Sequence, residues 1–189
     1  MVNGQEHESY YAQRASLDFL VDHLSRFEVL AFLATEQAVL HIGCADWPIT
    51  NLNQNLHIML DKVASSLDGV DSATEALEML RPHVKGSLFS NLANAWSCYD
   101  AVLIPKVLEH VGNLEKFLGS VNSIDSKDFV STVPNAFQRP EFFENKADAE
   151  SFEVVHPDHN DWFSPFTLQN VIQKYTSLKV DKLLSVGGI

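Results

Sequence analysis

The spacing of apolar and polar positions changes several times along the chain. Over residues 10–38, Leu17, Leu20, Val21, Leu24, Phe27 and Leu30 recur at steps near three and four. That spacing predicts a helix with one apolar face, and a second short helix is predicted over 28–36. Ala38-Val39-Leu40-His41-Ile42 is then a short apolar run closed by Gly43, the pattern of a buried strand. Residues 46–55 carry Pro48, Thr50 and several Asn and read as a loop. A helix follows over 55–66, then a short strand over 67–71 that ends in an acid. Ser72 with Glu75 three residues on has the form of a capping box, opening a helix that stops near Leu80, before Pro82.

The alternation continues. Residues 84–89 make a third strand. The run Tyr99–Ile104 makes a fourth and clearer one, ended by Pro105. Residues 106–124 predict a helix with Val107, Val111, Leu114, Phe117, Leu118 and Val121 on one face, weakened at Gly112. A fifth strand covers 128–133. Residues 135–164 carry little regular pattern, and a stretch of that length inside a compact domain is usually a lid or binding loop. Ser164 and Pro165 open a helix over 165–175, and 179–186 predicts a last strand. Strands alternating with helices imply an α/β fold: one Rossmann-like, doubly wound, mostly parallel sheet with helices on both faces. A helical segment over 1–38 precedes it, and a single domain spans 1–189. In such sheets ligands sit at the carboxyl ends of the strands, which is where Gly43 lies.

Charge narrows the partners. The net charge is -12, and the Lys and Arg are scattered rather than clustered. A polyanion would be repelled, so a small molecule is expected in preference to nucleic acid. No apolar run approaches the ~18–20 residues of a membrane span, and the opening MVNGQEHESYY lacks the build of a secretory signal. The two cysteines, Cys44 and Cys98, make neither a disulfide framework nor a zinc set. A reducing cytoplasm is the default expectation.

The first strand's end, Gly43-Cys44-Ala45-Asp46, is the first candidate for ligand binding. Gly43 permits positive φ or close backbone approach, Cys44 and Ala45 are small, and Asp46 can accept a hydrogen bond. A tight turn with no ligand is the competing reading. Asp71 ends the second strand, where a carboxylate can accept from both hydroxyls of a ribose. Its competing reading is a helix-start acid favoured by the macrodipole, worth ~0.3–1 kcal/mol.

Taken in order, VLHIGCADW, LDGVDSATEAL, YDAVLIPKVLEHVGNLEKFL and VHPDHNDWFSPFTLQNVIQKY resemble the class I S-adenosylmethionine-dependent methyltransferases. The similarity is to their small-molecule branch and runs over roughly residues 10–186. It implies S-adenosylmethionine as cofactor. Gly43 and Ala45 would then line its methionine part and Asp71 would take its ribose, with Ser72 beside the adenine. Phe89, Ser90 and Asn91 would lie along the adenine edge, and Ile104 and Pro105 would face the sulfur. Three departures stand out: His41 where the family has an acid, Ala45 and Trp47 where it often has glycine, and only Gly187-Gly188-Ile189 after the 179–186 strand, so that the family's final antiparallel strand is expected to be truncated or its edge covered by another element. Positive φ at Ala45 would cost on the order of 1 kcal/mol. The oligomeric state stays open, a dimer included.

Methyl transfer is mostly a matter of alignment, and an oxygen acceptor often also needs a base, for which histidine is suited. His110, His156 and His159 are the candidates, with Glu109 as a possible contact for a substrate hydroxyl. His110 also reads as a helix-packing residue, His159 as a loop brace and Glu109 as a solvated acid. His156-Pro157-Asp158-His159 is not a standard ligand set, and no metal is expected. The alternative function is a relative that kept the sheet but lost the donor and acts in binding or as a scaffold. A nicotinamide dehydrogenase would want G-x-G-x-x-G at the first turn.

Overall fold

The computed structural model of the chain describes residues 13–45, 51–95, 98–136 and 156–187. The chain passes through β1 (Leu17–Asp18), α1 (Arg26–Ala34), β2 (Ala38–Ile42), α2 (Leu56–Leu60), β3 (Ser66–Val70) and α3 (Thr74–Leu80). It continues through β4 (Leu88–Phe89), β5 (Tyr99–Pro105), α4 (Leu114–Val121), β6 (Ser126–Thr132), α5 (Pro165–Tyr175) and β7 (Leu183–Leu184). The main sheet has five strands in the order β4-β3-β2-β5-β6, and its pairs are all parallel. This is the doubly wound arrangement, reversing direction beside the central β2.

The side-chain alternation of β2 and β5 divides the core into two layers. Val39, Ala101 and Leu103 face α1 and α2, against Leu30, Ala34 and Leu60. Leu40, Ile42, Val102 and Ile104 face the other way, towards Val121 and Phe117 of α4. Helices therefore cover both faces. Full burial of each such aliphatic side chain contributes ~1.5–3 kcal/mol, so the two central strands carry much of the stability. Beyond them, α4 and α5 share a cluster of Leu108, Leu118, Phe163, Leu168 and Ile172.

Several elements differ from the sequence expectation. The long N-terminal helix is only α1. Ser25 and Glu28 form a capping box that starts the helix afresh, with Ser25 N–H donating to the Glu28 carboxylate at 2.8 Å. Upstream, Leu20 N–H donates to the Asp18 carboxylate at 2.8 Å, and β1 and a turn replace the first helical turns. The start of that predicted helix, residues 10–12, lies outside the described residues. Helix 55–66 keeps only Leu56–Leu60 as α2.

The Ser72 box does not form. α3 starts from Ala73 with no side-chain cap, because the Asp71 carboxylate takes the Ala73 N–H at 2.9 Å. Strand 84–89 shrinks to β4, since Ser87 N–H goes to the Asp68 carboxylate at 2.9 Å instead of to a ladder. Helix 106–124 is broken into a 3₁₀ turn over Leu108–His110 and the α4 helix. Asn113 caps α4 by accepting from Lys116 N–H at 2.9 Å, and Lys106 sits at φ 53.

The last predicted strand also changes partner. Only Leu183–Leu184 is extended, and it pairs in parallel with β1, away from the main sheet. Its neighbours Asp181 and Lys182 are exposed, so the stretch has too few apolar side chains to enter a sheet covered on both faces. Helix 165–175 forms as expected, with Ser164 and Thr167 bonded reciprocally at its start. Of the segment 135–164, residues 137–155 lie outside the described residues, and its ends meet where Ala136 N–H donates to Phe163 O at 2.8 Å. No helix among the described residues is long and apolar enough to cross a membrane.

Candidate functional site

The carboxyl ends of β2, β3 and β5 form a crest organised around Gly43. Gly43 takes φ 78, and both its N–H and that of Cys44 donate to Val70 O, at 2.8 and 3.2 Å. The turn thereby folds back over β3. A Cβ on Gly43 would stand 2.4 Å from Val107 Cγ2. The turn needs glycine for both reasons, backbone conformation and clearance. Gly43→Ala is expected to cost about 2 kcal/mol, ~1 for the left-handed backbone and ~1 for overpacking. Thermal unfolding checks this. Val107→Ala added to it should recover the steric half only, and a melting point equal to the parent's in the single variant would show the crest free to relax.

Ala45 does not adopt positive φ, so the missing second glycine brings no strain there. Cys44 and Ala45 are both fully buried against Ala76, Leu77 and Leu80 of α3. Burial, with Asp71 nearby, pushes the Cys44 thiol up to about 12, which removes it as a nucleophile. Asp46 and Trp47 lie outside the described residues.

Asp71 ties the crest together. Its two carboxylate oxygens accept from Ala45 N–H at 3.0 Å and Ala73 N–H at 2.9 Å. Each ionised oxygen retains lone-pair capacity for a further donor. Asn55, buried at the start of α2, adds a second tie that the sequence reading missed. It donates through Nδ2 to Ala45 O at 3.3 Å and accepts from Ile58 N–H at 3.0 Å. A helix-starting Asn after a loop was its only signal. Of the other predicted contacts, Ser72 and Ser90 are exposed beyond β3 and β4. Asn91, also exposed, caps a short turn by accepting from Ala93 N–H at 2.9 Å. Ile104 and Pro105 are buried at the end of β5.

His41 occupies neither the crest nor solvent. Its ring points into the layer under α1 and α2, where Nδ1 lies 3.1 Å from Nδ1 of His57, and the rings stack at 5.2 Å. One Nδ1 must carry the proton and the other must accept. The Nε2 atom of each ring is buried without a partner. Gly69 makes room for the pair, since a Cβ there would meet His57 Cε1 at 2.9 Å and Cys44 Sγ at 2.7 Å. Burial holds His41 well below the ordinary histidine range and His57 down at about 4.

The other histidines gather after β5. Val107 overlies Gly43, and His110 N–H donates to Val107 O at 2.9 Å. His159 reaches His110 with ring centroids 4.7 Å apart, and His156 joins at 5.5 Å from His110. The structure thus brings together His110, His156 and His159, the three candidate bases. Glu109, the fourth candidate, is 1% exposed, which overturns its competing reading as a solvated acid. Both of its carboxylate oxygens are buried without a partner, and burial raises its pKa. Its carbonyl, by contrast, accepts from Asn160 N–H at 2.7 Å. Burial, with His110 and His156 beside it, lowers the pKa of His159.

No protein-family model matches the chain, and no curated protein does. Solved structures do resemble it. The Pnkp1/Rnl/Hen1 RNA repair complex aligns at 17% identity and TM-score 0.50, over 84% of this chain and 35% of that one. The YcgJ protein of Bacillus subtilis aligns at 14% identity and TM-score 0.44, over 58% of this chain and 50% of its own. An S-adenosylmethionine-dependent methyltransferase of Mesorhizobium loti aligns at 16% identity and TM-score 0.40, over 54% of this chain and 49% of its own. The matched region thus spans half or less of each of these structures. At such identities the likeness is one of fold. With its parallel order β4-β3-β2-β5-β6 and helices on both faces, the chain has a doubly wound, Rossmann-like α/β fold.

Proposed function

We propose that the chain binds S-adenosylmethionine across the Gly43 turn and Asp71, and transfers its methyl group to a hydroxyl of a small molecule. One observation carries this reading: the Asp71 carboxylate is held beside the Gly43–Ala45 turn by the Ala45 N–H, at the carboxyl crest of a parallel sheet. Because each oxygen spends only one lone pair on the backbone, the carboxylate can take a ribose diol without breaking either tie. When bound, the cofactor supplies an activated methyl group. The chain's own part is alignment, worth several kcal/mol as effective molarity. Ile104 and Pro105, buried at the end of β5, are assigned to the side facing the sulfur. His159, with His110 beside it, accepts the proton that the acceptor hydroxyl releases. Net charge of -12 favours a small molecule over a polyanion.

The test is a thermal shift with S-adenosylhomocysteine. At 100 times its dissociation constant a ligand adds ~2.7 kcal/mol. At ~2–4 °C per kcal/mol for a chain of this size, the melting point should rise by roughly 5–11 °C. An unmoved melting point at millimolar ligand would sink the reading. It would leave the scaffold alternative, which the buried His41–His57 pair favours by filling the place of the family's acid with a structural couple.

A further inference from the structure

We propose that His110, His156 and His159 form a binding site for one divalent transition-metal ion of the zinc class. The three side chains each offer a nitrogen, and these atoms lie within 4.8 Å of one another. Nitrogens around a tetrahedral zinc ion with bonds of ~2.0–2.1 Å stand roughly 3.3 Å apart. The gap closes by side-chain rotation alone, because His110 and His156 are exposed and His159 is only partly buried.

The backbone around the cluster is fastened. Asn160 N–H and Asp161 N–H donate to Glu109 O at 2.7 and 3.3 Å, and Asn160 Nδ2 donates to His110 O at 3.0 Å. These bonds clamp the 156–161 segment onto the Leu108–His110 turn. His159 N–H donates to His156 O at 3.0 Å, which brings those two residues onto one side of a turn.

The ring partners suit ligation. His110 Nδ1 faces Asp158 O at 3.2 Å. A carbonyl can only accept, so the proton sits on Nδ1 and the lone pair of Nε2 is left for a metal, the usual outer-shell arrangement of a metal-binding histidine. Asp158 N–H donates to His156 Nδ1 at 3.3 Å, and the Asp158 carboxylate lies 3.8 Å from the same nitrogen. Ligation through Nε2 takes the other tautomer of this ring, with Nδ1–H turned to the Asp158 carboxylate in place of the bond from Asp158 N–H. Imidazole nitrogens select zinc and its late first-row neighbours over magnesium or calcium, which want oxygen. Three nitrogens complete three positions of a tetrahedron and leave the fourth for water or another oxygen donor. A coordinated nitrogen has no lone pair for a proton, so the base role of His159 belongs to the metal-free chain.

The proposal does not rest on methyl transfer and is tested without cofactor. The full chain is stripped with a chelator, dialysed and titrated with zinc chloride by calorimetry, and bound metal is counted by elemental analysis. One zinc per chain is expected, with a dissociation constant in the micromolar range or below. His110→Ala and His159→Ala should each weaken it by roughly tenfold or more, while Cys98→Ser, at an exposed thiol elsewhere, should leave it unchanged. Zinc-edge X-ray absorption of the parent protein should show about three imidazole nitrogens near 2.0 Å. That spectrum decides the matter even if a variant misfolds. Sub-stoichiometric uptake, a sulfur-containing shell, or affinity that survives His110→Ala/His156→Ala/His159→Ala would overturn the site.

Discussion

Moving the protein from pH 7 to pH 5 should remove on the order of 4 kcal/mol of stability through His41 and His57 alone. Both rings are buried, at 1% and 0% exposure. An unfolded histidine takes up its proton near pH ~6.5. In the folded chain His57 resists until about 4, and His41 is also depressed well below its usual range. Burial is the main cause for each. For His41, the neighbouring His57 and Arg26 add to it. Below ~6.5 the unfolded state therefore binds more protons than the folded one, and stability falls with pH by about 2 kcal/mol per histidine over this interval. A first proton would have to enter an apolar layer, and a second would set two N–H groups head to head.

The measurement is the urea midpoint between pH 7 and 5, parent against His41→Leu/His57→Leu. Replacing both partners leaves no orphaned polar group. Carboxylate titrations elsewhere are common to both proteins and cancel. The double variant should show a flatter profile by nearly two protons at pH 5; parallel profiles would mean that these rings titrate freely in the fold.

Asp71→Ala should lower stability by about 3 kcal/mol and abolish the response to S-adenosylhomocysteine. A hydrogen bond to an ionised group contributes ~1.5–3 kcal/mol, and the lower figure applies to each of the two bonds because the carboxylate is only partly buried. Asp71→Asn retains one acceptor oxygen and should lose about half as much. The ligand response is compared within each variant, with and without S-adenosylhomocysteine, so lost stability does not mask it. A full shift in Asp71→Ala would place the ribose elsewhere.

The parts of this molecule that were legible beforehand are those governed by local chemistry. β2 and β5 follow from unbroken apolar runs, because a strand covered on both faces has no polar side to alternate with. α5 follows from Ser164 and Pro165 at its start. What escaped reading depends on contacts between distant residues. The Ser72 cap lost to Asp71, whose carboxylate was already drawn towards Ala45 by a bond spanning 26 positions. The apolar face of 106–124 runs on across Gly112 and Asn113, so periodicity alone hid the break that Asn113 makes. His41 was recognised as a departure, yet nothing local pointed to His57 as its partner. His156, Asp158 and His159 read as no standard ligand set, and nothing local showed that the fold sets His110 beside the two histidines. Gly43 and Asp71 were expected at the ends of successive strands and lie there, since strand ends in a parallel sheet converge whatever their loops contain.

The parallel pairing of β2 also sets an order of events during synthesis. Val39 pairs with Leu67 on one side and with Ala101 on the other. As the ribosome extends the chain at ~5–20 residues per second, the first partner emerges seconds before the second. Through that interval one edge of β2 is open and its apolar side chains lack half their cover. Parallel pairings of this range close slowly, so the nascent polypeptide is most vulnerable to self-association while β5 is still being made.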